Sequence, residues 1–154
     1  MIEVGIEAQF YATHALRGDF GKASLTHGHH YRVRAVFAGE GLNQDGVLVD
    51  IALIELALGS VVSKIEARHL NDTEPFTAQN PTAELLAGFL WEELEAGLQG
   101  RLPKGVFLSE VTLWESPQAF VRVTYPRRCR AEQWRPGPSS LGNPQAFFGK
   151  DSHP

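Results

Sequence analysis

The stretch His27-Gly28-His29-His30-Tyr31-Arg32-Val33-Arg34-Ala35-Val36-Phe37 constrains this chain more than any other. Its alternating and branched residues predict a strand, and strand side chains alternate between faces with a period of two. His27 and His29 then leave the same face, so two imidazoles look toward one point. Zinc accepts such neutral ring nitrogens at about 2.0–2.1 Å. His14 is a candidate third ligand, because Phe10-Tyr11-Ala12-Thr13-His14 closes another apparent strand that can pair antiparallel with the first. Three histidines with one open position suit a catalytic zinc, whereas a closed structural site takes four protein ligands, usually with cysteine. The same spacing also fits a turn with incidental histidines, and spacing alone does not choose between the two readings.

Around this stretch the periodicity sets an element order. Ile2, Val4, Ile6, Ala8, Phe10 and Ala12 share one parity, and His14 continues it, which predicts a first strand from residue 2 to about 16. The glycine-marked loop Arg17-Gly18-Asp19-Phe20-Gly21-Lys22 leads to the histidine strand at about 28–38, giving a hairpin with a long connection. After the turn-rich segment 39–46 and the apolar run Val47-Leu48-Val49, Asp50 is placed to cap a helix over about 51–66, with Ile51, Ile54, Leu58, Val61 and Ile65 at helical spacing. Thr82 is a candidate cap for a second helix, with Glu84 in its first turn and Leu86, Phe89, Leu90, Leu94 and Leu98 on its apolar stripe. Val106–Trp114 and Ala119–Tyr125 then read as two more strands joined by Glu115-Ser116-Pro117-Gln118. The order β-β-α-α-β-β predicts an α+β domain: an antiparallel sheet with both helices on one face.

At 154 residues the chain is long enough for one domain with its own core. A net charge of −4 argues against a nucleic-acid or membrane surface. Cys129 is the single cysteine, so an intrachain disulfide is impossible and a reducing compartment is the natural reading. The start Met1-Ile2-Glu3-Val4-Gly5-Ile6-Glu7 has neither the basic region nor the apolar core of a secretory signal, so a cytoplasmic protein is expected. Beyond Pro126 the composition shifts to Arg, Pro and Gly, predicting a domain over 1–126 and an extended, partly disordered tail over 127–154, whose Phe147 and Phe148 are free to dock on a neighbour.

Several dispersed motifs occur in one order: Phe10-x-x-x-His14, His27-Gly28-His29-x-Tyr31, Asp45-Gly46-Val47-x-Val49-Asp50, Leu70-Asn71, Pro81-Thr82-Ala83-Glu84-x-x-Ala87 and Trp114-Glu115-Ser116. In that order they resemble the 6-pyruvoyl-tetrahydropterin synthase and 6-carboxytetrahydropterin synthase family, over about residues 4–125. The resemblance implies a tunnelling fold whose subunits associate into a homo-oligomer, a trimer or a hexamer of two trimers. It implies Zn2+ held by His14, His27 and His29, and a pterin anchored by Glu115, with Thr82 and Glu84 as secondary binding candidates. A carboxylate suits the anchoring role because it accepts two parallel hydrogen bonds from the N–H groups of an amino-pyrimidinone edge. The implied activity is lyase chemistry on the side chain of a dihydropterin of the dihydroneopterin triphosphate type. The pathway stays open among 7-deazaguanine (queuosine), folate and biopterin-like routes.

Two stations depart from the family pattern. The proton-abstracting cysteine commonly lies four positions before the first histidine of the His-x-His pair, where this chain has Ala23. The Asp-His proton relay that precedes Leu-Asn is replaced by Glu66-Ala67. Glu66, His69 and Asp19 are the nearest groups able to move a proton, and they are the candidate catalytic residues. Loss of a general base typically costs about 10²–10⁴ in rate. The alternative to an enzyme with altered acid–base groups is therefore a zinc- and pterin-binding homologue without catalysis.

Overall fold

The computed structural model describes residues 1–125. The predicted tail, with Cys129, Phe147 and Phe148, lies outside the described residues.

Four strands form one antiparallel sheet in the order β1-β2-β3-β4: β1 is Ile2–His14, β2 His27–Gly39, β3 Phe107–Trp114 and β4 Phe120–Thr124. Two helices, α1 (Ile51–Val62) and α2 (Ala83–Leu98), lie between β2 and β3 in sequence. The fold is the α+β arrangement expected from the element order. Ile6, Phe10, Ala12, Tyr31, Val33, Ala35, Phe37, Val111 and Leu113 leave one sheet face and are buried together with Ile54, Leu58, Leu86, Leu90 and Leu94 of the helices. The opposite face carries the alternate residues, including Arg32, Arg34, Glu110 and Arg122. Both helices begin on the predicted caps. The Asp50 side chain accepts from the N–H of Ala52 at 2.9 Å, and the Thr82 hydroxyl accepts from Leu85 at 3.3 Å. Among the described residues no helix is long and apolar enough to cross a membrane.

Some boundaries differ from the sequence reading, and each difference positions the site. The first strand stops at His14 rather than about 16, because Ala15 and Arg17 give their backbone groups to asparagine side chains instead of a strand partner. The first helix stops at Val62 rather than 66. Beyond it the N–H groups of Lys64 and Ile65 donate to carbonyls three residues back, a tighter turn that still buries Ile65. The chain then reverses at Ala67, whose φ of +56° lies in the left-handed region. That reversal lays residues 67–69 along the free edge of β1, with Ala67 N–H donating to Tyr11 O at 2.7 Å and Thr13 N–H to Arg68 O at 3.0 Å. Apolar periodicity reports which residues are buried, and here it runs on through a turn that keeps the same face inward.

Candidate active site

The antiparallel register pairs His14 with His27 and Ala12 with His29, so all three histidines project from one end of the core face. Their candidate ligand nitrogens lie within 4.8 Å of one another. The ring centroids of His14 are 4.5 Å from His27 and 5.1 Å from His29. Gly28 is glycine for a steric reason: a Cβ there would sit 2.1 Å from the Tyr11 hydroxyl, which packs across the strand.

The hydrogen bonds fix which nitrogens are free. His14 Nδ1–H donates to Pro81 O at 2.7 Å, and His27 Nδ1–H donates to Leu25 O at 2.7 Å. A carbonyl only accepts, so each Nδ1 carries the proton and each neutral ring presents a bare lone pair at Nε2. Those two Nε2 atoms face each other at 2.9 Å. Two lone pairs at that separation repel unless a cation lies between them or one ring is protonated. Burial of His14, 2% exposed, opposes protonation and pulls its pKa down, only partly offset by the Pro81 hydrogen bond. His29 Nε2 is buried without a hydrogen-bond partner, and burial lowers that ring's pKa too, against the opposing charge of Glu115. The facing Nε2 atoms of His14 and His27, with the unpartnered Nε2 of His29 beside them, are the donor set a divalent cation of the zinc type requires, so these residues fit the metal. Two of the three have the partner on the second ring nitrogen that orients metal-bound histidines.

Asparagines hold the loop ends that carry this centre. Asn71 Oδ1 accepts from Ala15 N–H at 2.9 Å, and its Nδ2 donates to Ala15 O at 2.8 Å, clamping the residue after His14 from both sides. Asn80 makes the same pair of bonds to Arg17, at 2.7 and 3.1 Å. Arg17 is tied further by donating to the carbonyls of Gln79, Phe76 and Thr77. The Leu-Asn pair was visible in the sequence, but its clamping role was not, because its partner is a peptide 56 residues away.

A cavity of about 440 Å³ opens beside the histidines. His14, His27, Thr82, Glu84 and Glu115 line it, with Leu16, Phe20, Ala23 and Phe120 among its apolar walls. Glu115 follows β3, is about one-third exposed, and approaches His29 Nε2 with its Oε1 at 3.4 Å without hydrogen-bonding it. Thr82 is committed as the helix cap, and Glu84 is exposed in the first turn of α2. Ala23 is part of the same wall.

The three candidate acid–base groups stand elsewhere. Glu66 and Asp19 are exposed, and neither lines the cavity. His69 Nδ1 bonds the Thr13 hydroxyl at 3.0 Å, and Thr13 leaves β1 on the face opposite His14. A larger cavity, about 850 Å³, lies at the other end, between the close of α2 and the start of β3. Its ionisable lining is Glu92 and Glu95 alone, and neither belongs to the group of three residues that could hold a metal among the described residues.

Comparison with known proteins decides the relationship. The sequence profile of the 6-pyruvoyl tetrahydropterin synthase family matches residues 3–126. The chain belongs to that family. A 6-carboxy-5,6,7,8-tetrahydropterin synthase of Synechocystis sp. is 30% identical over 127 residues, covering 79% of this chain and 92% of the relative. A 6-pyruvoyl tetrahydrobiopterin synthase of Drosophila melanogaster is 29% identical over 113 residues, covering 70% of this chain and 65% of the relative. The solved structure of Caenorhabditis elegans 6-pyruvoyl tetrahydropterin synthase superposes with a TM-score of 0.73 at 24% identity, over 81% of this chain and 96% of that one. It shares the tunnelling fold of the family, four antiparallel strands with two helices on one face.

Proposed function

We propose that this protein is a zinc-dependent pterin enzyme of the lyase type, acting on the side chain of a dihydropterin with acid–base groups that differ from the family's usual ones. The observation that carries the reading is the pair of lone-pair-bearing Nε2 atoms of His14 and His27 at 2.9 Å, beside the unpartnered Nε2 of His29. Those three rings would hold the zinc, and when bound it supplies Lewis acidity to the side-chain oxygens of the substrate. Glu115, at the cavity wall, accepts the paired N–H groups of the pterin edge, while Thr82 and Glu84 border the same cavity. Leu16, Phe20 and Ala23 offer an apolar wall to the substrate's side chain. The described lining holds no lysine or arginine, and exposed Lys22, next to Ala23 in sequence, is a nearby cation for a phosphorylated side chain. Glu66, His69 and Asp19 remain the proton carriers of this reading, and an adjoining subunit of a trimer or hexamer would bring them to a cavity they do not line within their own chain.

One observation favours a second reading, a zinc- and pterin-binding homologue that does not turn its ligand over: Ala23, whose side chain cannot take a proton, lines the cavity. A single experiment separates the two. Zinc-loaded full-length protein is mixed with dihydroneopterin triphosphate and with dihydroneopterin; binding is followed by calorimetry and products by mass spectrometry, alongside Glu115→Gln. Turnover supports the enzyme. Zinc-dependent binding with the pterin returned intact supports the second reading, and no binding of either pterin sinks both.

A further inference from the structure

The Tyr31 hydroxyl is the most deeply buried polar group near the cavity that the reading above leaves without a task. Tyr31 is 1% exposed, and its hydroxyl has no hydrogen-bond partner. A buried donor left unpaired is costly, so a sequence that retains it over phenylalanine points to an acceptor in the working state. The ring itself is held firmly. Phe10 stacks on it at a centroid distance of 5.0 Å and 19°, His29 tilts against it at 5.3 Å, and His14 meets it edge-on at 6.4 Å.

The acceptor follows from the strand register. The last ladder pair of β2 and β3 is Arg32 with Trp114, and the same register continued by one step would match Tyr31 with Glu115, the residue that follows β3. Glu115 has no side-chain hydrogen bond among the described residues, and its one close polar neighbour is His29 Nε2 at 3.4 Å. That nitrogen has a single lone pair or a single proton. Committed to a metal, it has nothing left to offer the carboxylate, and Glu115 needs another donor. Tyr31 has one to give.

We propose that Tyr31 is a positioning residue for Glu115: with His29 Nε2 held by a metal, the buried Tyr31 hydroxyl donates to a Glu115 carboxylate oxygen and fixes that carboxylate for the N–H edge of a pterin-class ligand. This rests on the reading of Glu115 as the pterin anchor. A carboxylate has about four lone-pair sites, so one phenol leaves room for two parallel bonds to the ligand. The arrangement couples the metal to the anchor: with His29 Nε2 held by a metal, Tyr31 is the donor left to Glu115.

The test uses full-length protein, zinc alone, and neopterin as the probe. Zinc added to the wild type shifts the tyrosine absorbance band as the phenol gains a carboxylate acceptor; Tyr31→Phe and Glu115→Ala lack that shift. Tyr31→Phe keeps its zinc affinity, loses about tenfold or more in neopterin affinity, and melts no lower without metal than the wild type, because the removed hydroxyl had no partner. A merely structural tyrosine would do the reverse, lowering the melting temperature and leaving ligand affinity alone. Phe10→Leu serves as the packing control: it lowers the melting temperature and leaves neopterin affinity within about twofold. Tyr31→Phe binding neopterin like the wild type, or a zinc-induced tyrosine shift that survives in Glu115→Ala, overturns the proposal. A wild type that shows the zinc-induced shift and binds no neopterin instead overturns the pterin reading, and leaves the Tyr31–Glu115 pair standing.

Discussion

The two asparagine clamps make an internally controlled experiment. Asn71 and Asn80 each accept from one backbone N–H and donate to the carbonyl of the same residue, but the Ala15 clamp is partly buried and the Arg17 clamp is exposed. Asn71→Ala removes two bonds worth about 0.5–1.5 kcal/mol each and leaves an N–H and a C=O that water reaches poorly, for a total of about 2–4 kcal/mol. Asn80→Ala removes the same number of bonds where water can replace them, and costs about 0.5–1 kcal/mol. At about 4 °C per kcal/mol for a folded unit of this size, the expected losses in melting temperature are roughly 8–16 °C and 2–4 °C. Differential scanning calorimetry of metal-free protein measures both. Ala15 follows His14, so Asn71→Ala also loosens the first ligand, and a zinc titration should show about tenfold weaker binding, against little change in Asn80→Ala. Asn71→Asp keeps the acceptor and loses the donor, so it should fall between Asn71→Ala and the wild type. Equal losses in the two alanine variants, or an Asn71→Asp as stable as the wild type, would refute the argument that burial of the clamped peptide sets the cost.

Further expectations concern metal, sterics and pH. Zinc at about a hundred times its dissociation constant should stabilise the wild type by about 2.7 kcal/mol, roughly 10 °C, and a chelator should reverse the shift; His27→Ala should show none, and a chelator-insensitive melting curve for zinc-treated wild type would count against a metal at the histidines. Gly28→Ala should push Tyr11 off His30, a contact at 5.0 Å, for about 0.5–1.5 kcal/mol, and Tyr11→Ala in the same chain should restore most of that loss; additive losses would refute the clash. Glu110 is the informative carboxyl for acid stability. Burial pushes its pKa up, but hydrogen bonds from Thr112 and Arg34 and the charges of Arg122 and Arg34 outweigh burial and hold it below the usual range. A depressed folded-state pKa contributes stability that is full above the unfolded carboxyl value and is lost as pH falls through the folded one. Glu110→Gln should therefore cost about 1–3 kcal/mol at pH 7 and progressively less below about pH 4.5, measured by urea unfolding across that range; a loss constant with pH would refute the assignment.

Parts of the site were legible in the sequence and parts were not, for reasons that differ residue by residue. His27 and His29 are two apart on a strand, so their shared face follows from the period of the backbone itself. His14 joined them on the expectation of an antiparallel pair, and the register pairs it with His27. The ends of α1 were less legible: Ile65 continues the apolar spacing and is fully buried, yet it lies in a turn, because burial and helicity are separate properties that one pattern reports together. Glu66, His69 and Asp19 are close to the site along the chain, but none of them lines the cavity within its own chain. The reversal at Ala67 turns that segment onto the outer edge of β1, and His69 binds Thr13 on the far face.

What the sequence by itself determined was local in origin: element order, helix caps at Asp50 and Thr82, the parity that sends three histidines inward, and family membership carried by ordered motifs. These depend on side-chain chemistry and on periods of two and 3.6 residues, which any stretch of chain displays without its partners. What only the tertiary structure decided is which lone pairs are free and which donors lack acceptors. The Pro81 carbonyl that fixes the His14 tautomer is 67 residues away, the Asn71 clamp 56, and the Glu115 carboxylate comes near His29 only through the pairing of β2 with β3. Hydrogen-bond partners and desolvation are properties of the assembled surroundings, so the protonation pattern that readies this site for a cation exists only once the sheet has closed around it.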